Sequence, residues 1–203
     1  MKSKDQSVIT SFLNYIKNVR QYSSHTIRSY SHDLDDYYSY CINNYGEKEF
    51  VNLDHTAIQS YLQYLSRRGL SAKTLARRLA SIKSLYKYML INNMIRTNIA
   101  KFVKTPKTNR ELPHYLSLKE AKDILSLPTG NDKDTLRDRL ILELFYATGV
   151  RISELIKIHL KDIRLEENLI YILGKGNKER IVIIGSEAKT ALLNYLEMLN
   201  EKN

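Results

Sequence analysis

The chain has 203 residues, of which 43% are hydrophobic, and a formal net charge of +10. This length allows one or two domains, and the apolar share is sufficient for a folded core. No apolar run approaches the roughly 18 residues of a membrane span, and the first residues contain no stretch typical of a signal peptide. The single cysteine, Cys41, has no second thiol with which to form an internal disulfide. These features predict a cytoplasmic protein in which Cys41 is a packed thiol.

Apolar residues at helical spacing predict four helices in the first hundred residues. Serine, threonine and aspartate residues near their starts are typical N-caps, and Gly69 is a typical helix stop. The four predicted helices cover residues 8–19, 27–44, 53–69 and 70–93.

The fourth predicted helix has two unlike faces when its residues are placed at about 100° intervals. Its narrow apolar stripe consists of Leu75, Leu79, Ile82, Tyr86 and Met89. The broad opposite arc carries Lys73, Arg77, Lys83 and Lys87. We therefore expect one face to pack and the other to meet phosphates.

Positive charge is concentrated in the same region, with twelve Lys and Arg residues and no acid between Asp54 and Glu111. Such segregation predicts a polyanionic partner, duplex DNA first, while RNA, an anionic membrane surface and a merely solvated basic face stay open. Cations that bind phosphates give affinity and salt dependence rather than sequence choice. The residues predicted to bind DNA are Arg67, Arg68, Lys73, Arg77, Arg78, Lys83 and Lys87.

Two prolines, Pro106 and Pro113, enclose polar and cationic residues of the kind found in interdomain linkers. We therefore predict one domain at 1–103 and another at 114–203, joined by a linker at 104–113.

The second domain is predicted to combine helices with a β-hairpin. Ser117 and Glu120 have the spacing of a capping box at a helix start, and a strongly apolar helix ends at Gly149. A short helix follows over RISELIKIHL. The β-branched runs LIYIL and RIVII flank a Gly- and Asn-containing turn and predict paired strands, and SEAKTALLNYLEML predicts a last helix.

Two cationic residues in this domain, Arg151 and Lys175, are candidates for a catalytic role. Arg151 follows the break at Gly149 and opens a helix, where an arginine fork can clamp an oxyanion, and Glu154 is within reach of its guanidinium. Lys175 lies in GKGNKER at the predicted hairpin tip, which lacks the residue order of a nucleotide-binding P-loop. Taken singly, these residues are better explained as a surface Arg–Glu pair and as solvated lysines of a hairpin.

The two motifs together, ATGVRISEL and GKGNKER with Arg151 and Lys175 24 residues apart, resemble the tyrosine recombinases, the Xer-type and phage-integrase family. YSSHTIRSYSHDL, GLSAKTLARRLASIKSLYKYML and VKTPK are similar to that family's core-binding motif, DNA-gripping helix and interdomain linker, although Ile99 stands where members typically have proline. The resemblance implies a mainly α fold. It would comprise an N-terminal core-binding, SAM-like domain of four to five helices and a truncated α+β catalytic domain with a small β-hairpin or sheet.

In this family a tyrosine attacks a DNA phosphodiester, giving a 3′-phosphotyrosine and a free 5′-hydroxyl, without a metal or other cofactor. The resemblance implies that Arg151 stabilises the phosphorane, that Lys175 protonates the leaving oxygen and that Glu154 supports Arg151. Lys178 and Arg180 are expected to serve the DNA backbone or the turn. The implied partners are duplex DNA and further recombinase protomers assembled on it, with no membrane contact.

The family pattern continues with a His-x-x-Arg, a further His or Trp and the nucleophilic tyrosine, and these 203 residues hold no His or Trp after Lys175. Tyr195 belongs to a predicted structural helix, and the His-x-x-Arg at His25–Arg28 lies at a helix start in the first domain. We therefore expect this chain to bind DNA without cleaving it, whether as a fragment, an interrupted reading frame or a natural short form. The alternative is a non-catalytic helical DNA-binding regulator or decoy.

Overall fold

The chain forms two compact units, Met1–Glu111 (the N-terminal unit) and Leu112–Asn203 (the C-terminal unit). The N-terminal unit is helical, and the C-terminal unit combines helices with a small antiparallel sheet, which confirms the predicted mainly α fold class. The computed structural model describes residues 3–46, 49–108, 114–174, 176 and 178–200.

The predicted domain bounds remain predictions, because part of the proposed linker, residues 109–113, lies outside the described residues. Among the helices that the structure does describe, none is long and apolar enough to cross a membrane.

The described part of the N-terminal unit contains four α-helices and two 3₁₀ turns. They are α1 (Lys4–Asn18), α2 (Ser24–Tyr45), a 3₁₀ turn (Phe50–Asn52), α3 (His55–Arg67), α4 (Ala72–Ile91) and a second 3₁₀ turn (Ile99–Phe102). Each α-helix begins where a side-chain oxygen accepts backbone N–H groups of the first turn, from Ser3, Ser23, Asp54 and Ser71 respectively. These caps fix starts that differ by a few residues from the predicted ones.

The apolar stripe of α4 lies at the centre of the N-terminal core, as predicted. Leu75, Leu79, Ile82, Tyr86 and Met89 are all buried. Aromatic rings pack around the stripe, with the Tyr37 centroid 5.5 Å from that of Phe50 and 5.1 Å from that of Tyr61. The Asp5 carboxylate of α1 accepts the Phe50 backbone N–H at 3.1 Å, which joins the first helix to the first 3₁₀ turn.

The described part of the C-terminal unit contains four α-helices, one 3₁₀ turn and three strands. They are α5 (Leu118–Leu125), α6 (Lys133–Thr148), α7 (Ile152–Leu155), the 3₁₀ turn (Leu160–Asp162), β1 (Ile163–Arg164), β2 (Leu169–Leu173), β3 (Glu179–Ile183) and α8 (Ser186–Asn200). The predicted capping box is present: the Ser117 backbone N–H donates to Glu120 Oε2 at 2.7 Å, and the Glu120 N–H donates to Ser117 Oγ at 3.2 Å.

The helix predicted over residues 151–160 is shorter than expected, because it ends at Leu155. The Lys157 N–H donates to the Glu154 carbonyl at 3.0 Å, and the Ile158 N–H donates to the Leu155 carbonyl at 3.1 Å. These i to i+3 bonds tighten the chain into a turn instead of continuing the α-helix.

The sheet has the order β1-β2-β3, and all of its pairings are antiparallel. Ile170 pairs with Val182 and Ile172 pairs with Arg180, so these four side chains lie on one face of the sheet. Ile170 and Ile172 are buried in one apolar cluster with residues of α6 and α8. The face that carries Arg180 is therefore the core face.

The β2–β3 hairpin is closed by the Gly174 backbone N–H, which donates to the Lys178 carbonyl oxygen at 2.8 Å. Tyr195 of α8 is partly buried and packs against the same apolar cluster as the sheet. This placement agrees with its prediction as a structural residue.

Candidate active site

Arg151 stands at the N-cap of α7, directly after the tight end of α6. Gly149 closes α6 in the left-handed conformation with φ +60°, and Val150 is buried beside it. This turn leaves the Arg151 side chain 70% exposed. The local sequence thus fixes the backbone at Arg151 and leaves its guanidinium accessible to solvent.

Glu154 lies one turn further on and is the buried centre of the site, with a residue exposure of 5%. Its Oε2 accepts the Arg151 backbone N–H at 2.9 Å, and its Oε1 accepts Arg151 Nη1 at 3.0 Å. The structure therefore brings Arg151 and Glu154 together as the sequence predicted.

Arg180 is the third member of the site, whereas the sequence led us to expect it at the DNA backbone or the turn. Instead of serving only the turn or the DNA backbone, it donates from Nη1 to Glu154 Oε1 at 3.0 Å and from Nη2 to Glu154 Oε2 at 2.9 Å. The alternation of β3 held the signal for this contact. Arg180 occupies a core-facing position between Glu179 and Ile181, and a cation on such a face needs an acidic partner.

The two arginines hold the pKa of the Glu154 carboxyl at about 2. The hydrogen bonds from Arg180 are the largest cause, followed by the Arg151 backbone N–H, and the Arg151 side chain adds to them. Glu154 is therefore an anion at any neutral pH and has no capacity left as a proton donor.

Gly174 lies at the base of the hairpin, beside this cluster. A methyl group added at Gly174 would lie 3.2 Å from the Lys178 carbonyl oxygen and 3.4 Å from both Arg180 Nη1 and Glu154 Oε1. The base of the hairpin thus lies against the Glu154–Arg180 pair. Lys175, the predicted proton donor, is the next residue in the chain and lies outside the described residues.

The cluster carries a surplus of positive charge, because one carboxylate faces two guanidinium groups. Arg151 Nε and Nη2 have no hydrogen-bond partner among the described residues. These donors, together with the net charge, make the site able to bind an oxyanion such as a phosphate. Among the described residues there is no group of three or more side chains that could hold a metal ion.

The predicted DNA-binding residues of the N-terminal unit fall into two sets. Arg67, Lys73 and Lys87 are exposed and make no hydrogen bond or ion pair with a described residue. Arg68 is exposed and bonds Tyr64 Oη at 3.2 Å, and Lys83 is half-buried with Nζ 3.3 Å from Thr105 Oγ1.

Arg77 and Arg78 form the second set, because both pair with acids of α2. Arg77 bonds Asp33, while Arg78 bonds Asp36 and donates to Tyr61 Oη at 2.9 Å. Arg78 is only 7% exposed, which argues against its predicted phosphate contact and assigns it to the packing of α4 on α2 and α3.

Comparison with known proteins identifies the class to which this fold belongs. The phage integrase N-terminal SAM-like domain matches residues 9–93, and the phage integrase family matches residues 114–203. A lambda integrase dimer bound to a COC' core site matches 96% of this chain and 70% of its own, with a TM-score of 0.74 at 17% identity. The XerH site-specific recombinase bound to palindromic difH substrate matches 98% of this chain and 63% of its own, with a TM-score of 0.70 at 22% identity. These likenesses establish an integrase fold.

Relatives of higher sequence identity place the chain more narrowly, among the tyrosine recombinases. The chain is 38% identical over 191 residues to tyrosine recombinase XerC of Thermodesulfovibrio yellowstonii, covering 94% of this chain and 62% of that protein. It is 37% identical over 185 residues to tyrosine recombinase XerD of Halalkalibacterium halodurans, covering 91% and 62%. The chain belongs to the tyrosine recombinase, or phage integrase, family, with relatives of the Xer type. It spans less than two thirds of the length of these relatives.

Proposed function

We propose that this chain is the DNA-binding part of a site-specific tyrosine recombinase that acts on duplex DNA in the cytoplasm. In a complete form the protein breaks and rejoins DNA strands. The observation that carries the proposal is the Arg151 guanidinium, which is exposed and anchored at one corner by buried Glu154. Its other donors have no partner in the part of the chain that the structure describes. An arginine fixed in this way matches the planar recognition of a phosphodiester.

The chemistry of the complete reaction assigns a role to each side chain. The oxygen of a tyrosine attacks phosphorus and forms the phosphotyrosine bond while the bond to the 5′ oxygen breaks. Arg151 stabilises the negative charge on the non-bridging oxygens of the phosphorane. Lys175 gives its proton to the departing 5′ oxygen, an assignment supported by its motif and by its position next to Gly174.

The N-terminal unit supplies affinity for DNA in this proposal. Its cations Arg67, Lys73 and Lys87, which are exposed and have no partner among the described residues, lie in the acid-free region between Asp54 and Glu111. Such cations release counterions from the DNA backbone when they bind it. Further recombinase protomers on the same DNA are proposed as the second class of partner.

The 203 residues are proposed to bind without cleaving. No His-x-x-Arg follows Gly174, and the last tyrosine, Tyr195, is committed to the apolar cluster of the C-terminal unit. A nucleophile has to place its hydroxyl at the phosphate, and the packing of Tyr195 against this cluster supports a structural role instead.

Two measurements test the proposed function. Fluorescence anisotropy with a labelled DNA duplex and an RNA duplex of the same sequence should show tighter, strongly salt-dependent binding to DNA. A nicked DNA duplex that traps covalent intermediates should give no denaturant-resistant adduct with this chain. A clear preference for RNA would contradict the DNA proposal, and an adduct would contradict binding without cleavage.

A further inference from the structure

The contact between Arg180 and Glu154 fixes the orientation of the Glu154 carboxylate as well as balancing its charge. The two terminal nitrogens of Arg180 donate in parallel to the two oxygens of Glu154, at 3.0 and 2.9 Å. A bidentate pairing of this type sets the plane of the carboxylate as well as its position. The plane of Glu154 is therefore determined by a residue on a different structural element, β3.

Arg151 receives its own orientation from the same carboxylate. Each oxygen of Glu154 accepts one bond from Arg180 and one from Arg151, so that four N–H groups fill the four acceptor positions of a carboxylate. If Arg180 is removed, the bonds to Glu154 that remain within the described residues come from the backbone N–H and the side chain of Arg151. The carboxylate plane is then held in part by the same side chain that it has to orient.

We propose that Arg180 is a positioning residue of the candidate active site, which acts through Glu154 to set the direction in which Arg151 presents its free N–H groups to a phosphate. The inference rests on the proposed function, because the phosphate is the substrate group assigned there. It also gives the hairpin a mechanical link to Arg151, since Gly174 lies against the Arg180–Glu154 pair.

A lysine at position 180 would keep the positive charge but lose the fork. An ammonium group is a point donor and cannot align both oxygens of a carboxylate in one plane. Arg180→Lys therefore separates orientation from charge, and Arg180→Gln removes both. Arg164→Lys is the matched control, because Arg164 lies in β1 of the same sheet. Within the described residues its hydrogen bonds go to backbone carbonyls alone, and its guanidinium lies over the Tyr171 ring.

The experiment is arginine-specific ¹⁵N NMR on the 203-residue chain, with the Arg151 Nε signal assigned by its loss in Arg151→Lys. We expect an ordered Arg151 Nε–H in the parent chain and a shift of this signal when inorganic phosphate is added. Both Arg180 variants should lose that order and show a several-fold smaller phosphate response, while Arg164→Lys should change neither. Arg151 that stays ordered and responsive in both Arg180 variants would overturn the inference, and so would global unfolding of both.

A double-mutant cycle with Glu154→Gln distinguishes action through Glu154 from a direct phosphate contact by Arg180. If Arg180 acts through Glu154, Arg180→Lys should have no additional effect on the phosphate response in the Glu154→Gln background. A full additional effect there would overturn the inference. The order of Arg151 is measured without phosphate, so a parent chain that ignores phosphate and DNA contradicts the proposed function, and unchanged order in the Arg180 variants contradicts the positioning role.

Discussion

Arg78 of α4 and Asp33 of α2 lie side by side in the interior of the N-terminal unit, with Arg78 Nε 3.9 Å from Asp33 Oδ1. Asp33 is 1% exposed, and neither of these two atoms has a hydrogen-bond partner in the described part of the chain. The pair is held in place by its neighbours, since Arg77 and Ser81 bond the other oxygen of Asp33. A buried charge with this little direct pairing depends on the whole cluster being present.

Removal of Arg78 should therefore destabilise the N-terminal unit. We expect Arg78→Met to lower the free energy of unfolding by about 3 kcal/mol, because it leaves Asp33 buried with one fewer cation and strips Tyr61 of its donor. Urea denaturation measures the change. Arg67→Ala, at an exposed site with no partner among the described residues, should stay within about 0.5 kcal/mol of the parent. If the Arg78→Met variant is as stable as the parent but binds DNA more weakly, Arg78 contacts DNA as the sequence predicted.

The Glu154 carboxyl makes the free energy of unfolding depend on pH in the acidic range. Its pKa is about 2 in the folded chain against an ordinary value of 4.5, so the folded state favours the anion. The resulting stabilisation is complete above about pH 4.5 and is lost as the pH falls from there towards 2. The parent chain should exceed Glu154→Gln in free energy of unfolding most at neutral pH, and the gap should narrow through this window in denaturation curves.

Glu143 provides a contrast of opposite sign, because burial and the nearby Glu187 raise the pKa of its carboxyl. The folded state therefore favours the protonated form of Glu143. The stabilisation that this form gives is lost as the pH rises above the ordinary pKa of a glutamate. Glu143→Gln should gain stability relative to the parent at neutral pH. A parallel pH dependence for the two variants would show that one of the two assigned directions is wrong.

Gly149 should be intolerant of a side chain for conformational reasons alone. Its φ of +60° is left-handed, while an added methyl group would meet no atom of the described residues within 4 Å. Gly149→Ala should therefore cost about 1 kcal/mol in thermal or chemical denaturation through backbone strain rather than a clash. Gly185→Ala, where the space is equally open and φ is not left-handed, should be close to neutral. Equal effects at the two positions would exclude strain as the cause.

Cys41 should react slowly with thiol reagents in the folded chain. It is buried at 2% exposure, and burial raises the pKa of its thiol to about 12, so little thiolate forms at neutral pH. Labelling by a chromogenic disulfide reagent should be slow in buffer and fast in denaturant. Rapid labelling of the native chain would show that the core around α2 opens.

Individual cations on the N-terminal unit should contribute separately to DNA binding. Each of Arg67→Ala, Lys73→Ala and Lys87→Ala should weaken binding to duplex DNA and reduce the slope of log affinity against log salt by about 1. Anisotropy titrations at several salt concentrations measure the slope. Arg137→Ala is a charge-matched control, since Arg137 already pairs with Asp134 and Asp138. An equal loss in that variant would indicate a nonspecific effect of net charge.

The sequence predicted most of the helices because their cause is local. Caps such as Ser71 and the capping box of Ser117 with Glu120 lie within one turn of the residues they serve, and the stripe of α4 is visible at helical spacing. The Arg151–Glu154 pair was predictable for the same reason, since both residues lie on one helical turn.

Contacts between distant segments were less accessible to sequence reasoning. Arg180 and Glu154 are 26 residues apart, and Arg78 and Asp36 are 42 apart, so only the tertiary fold decides which cation meets which acid. In α4, angular position alone put Arg77 on the exposed arc, and it could not reveal that Asp33 of α2 would reach it. An acid-free stretch of sequence therefore need not be free of acids in space.

The register of the β2–β3 hairpin also limits which insertions and deletions β3 can tolerate. Because successive strand residues point to opposite faces, inserting or deleting one residue within β3 would move Arg180 to the outer face and bring an apolar or acidic neighbour towards Glu154. A change of two residues would restore the alternation. Among viable length variants of such chains, changes within β3 should therefore occur in pairs, whereas the segment between α5 and α6 is not bound by this parity.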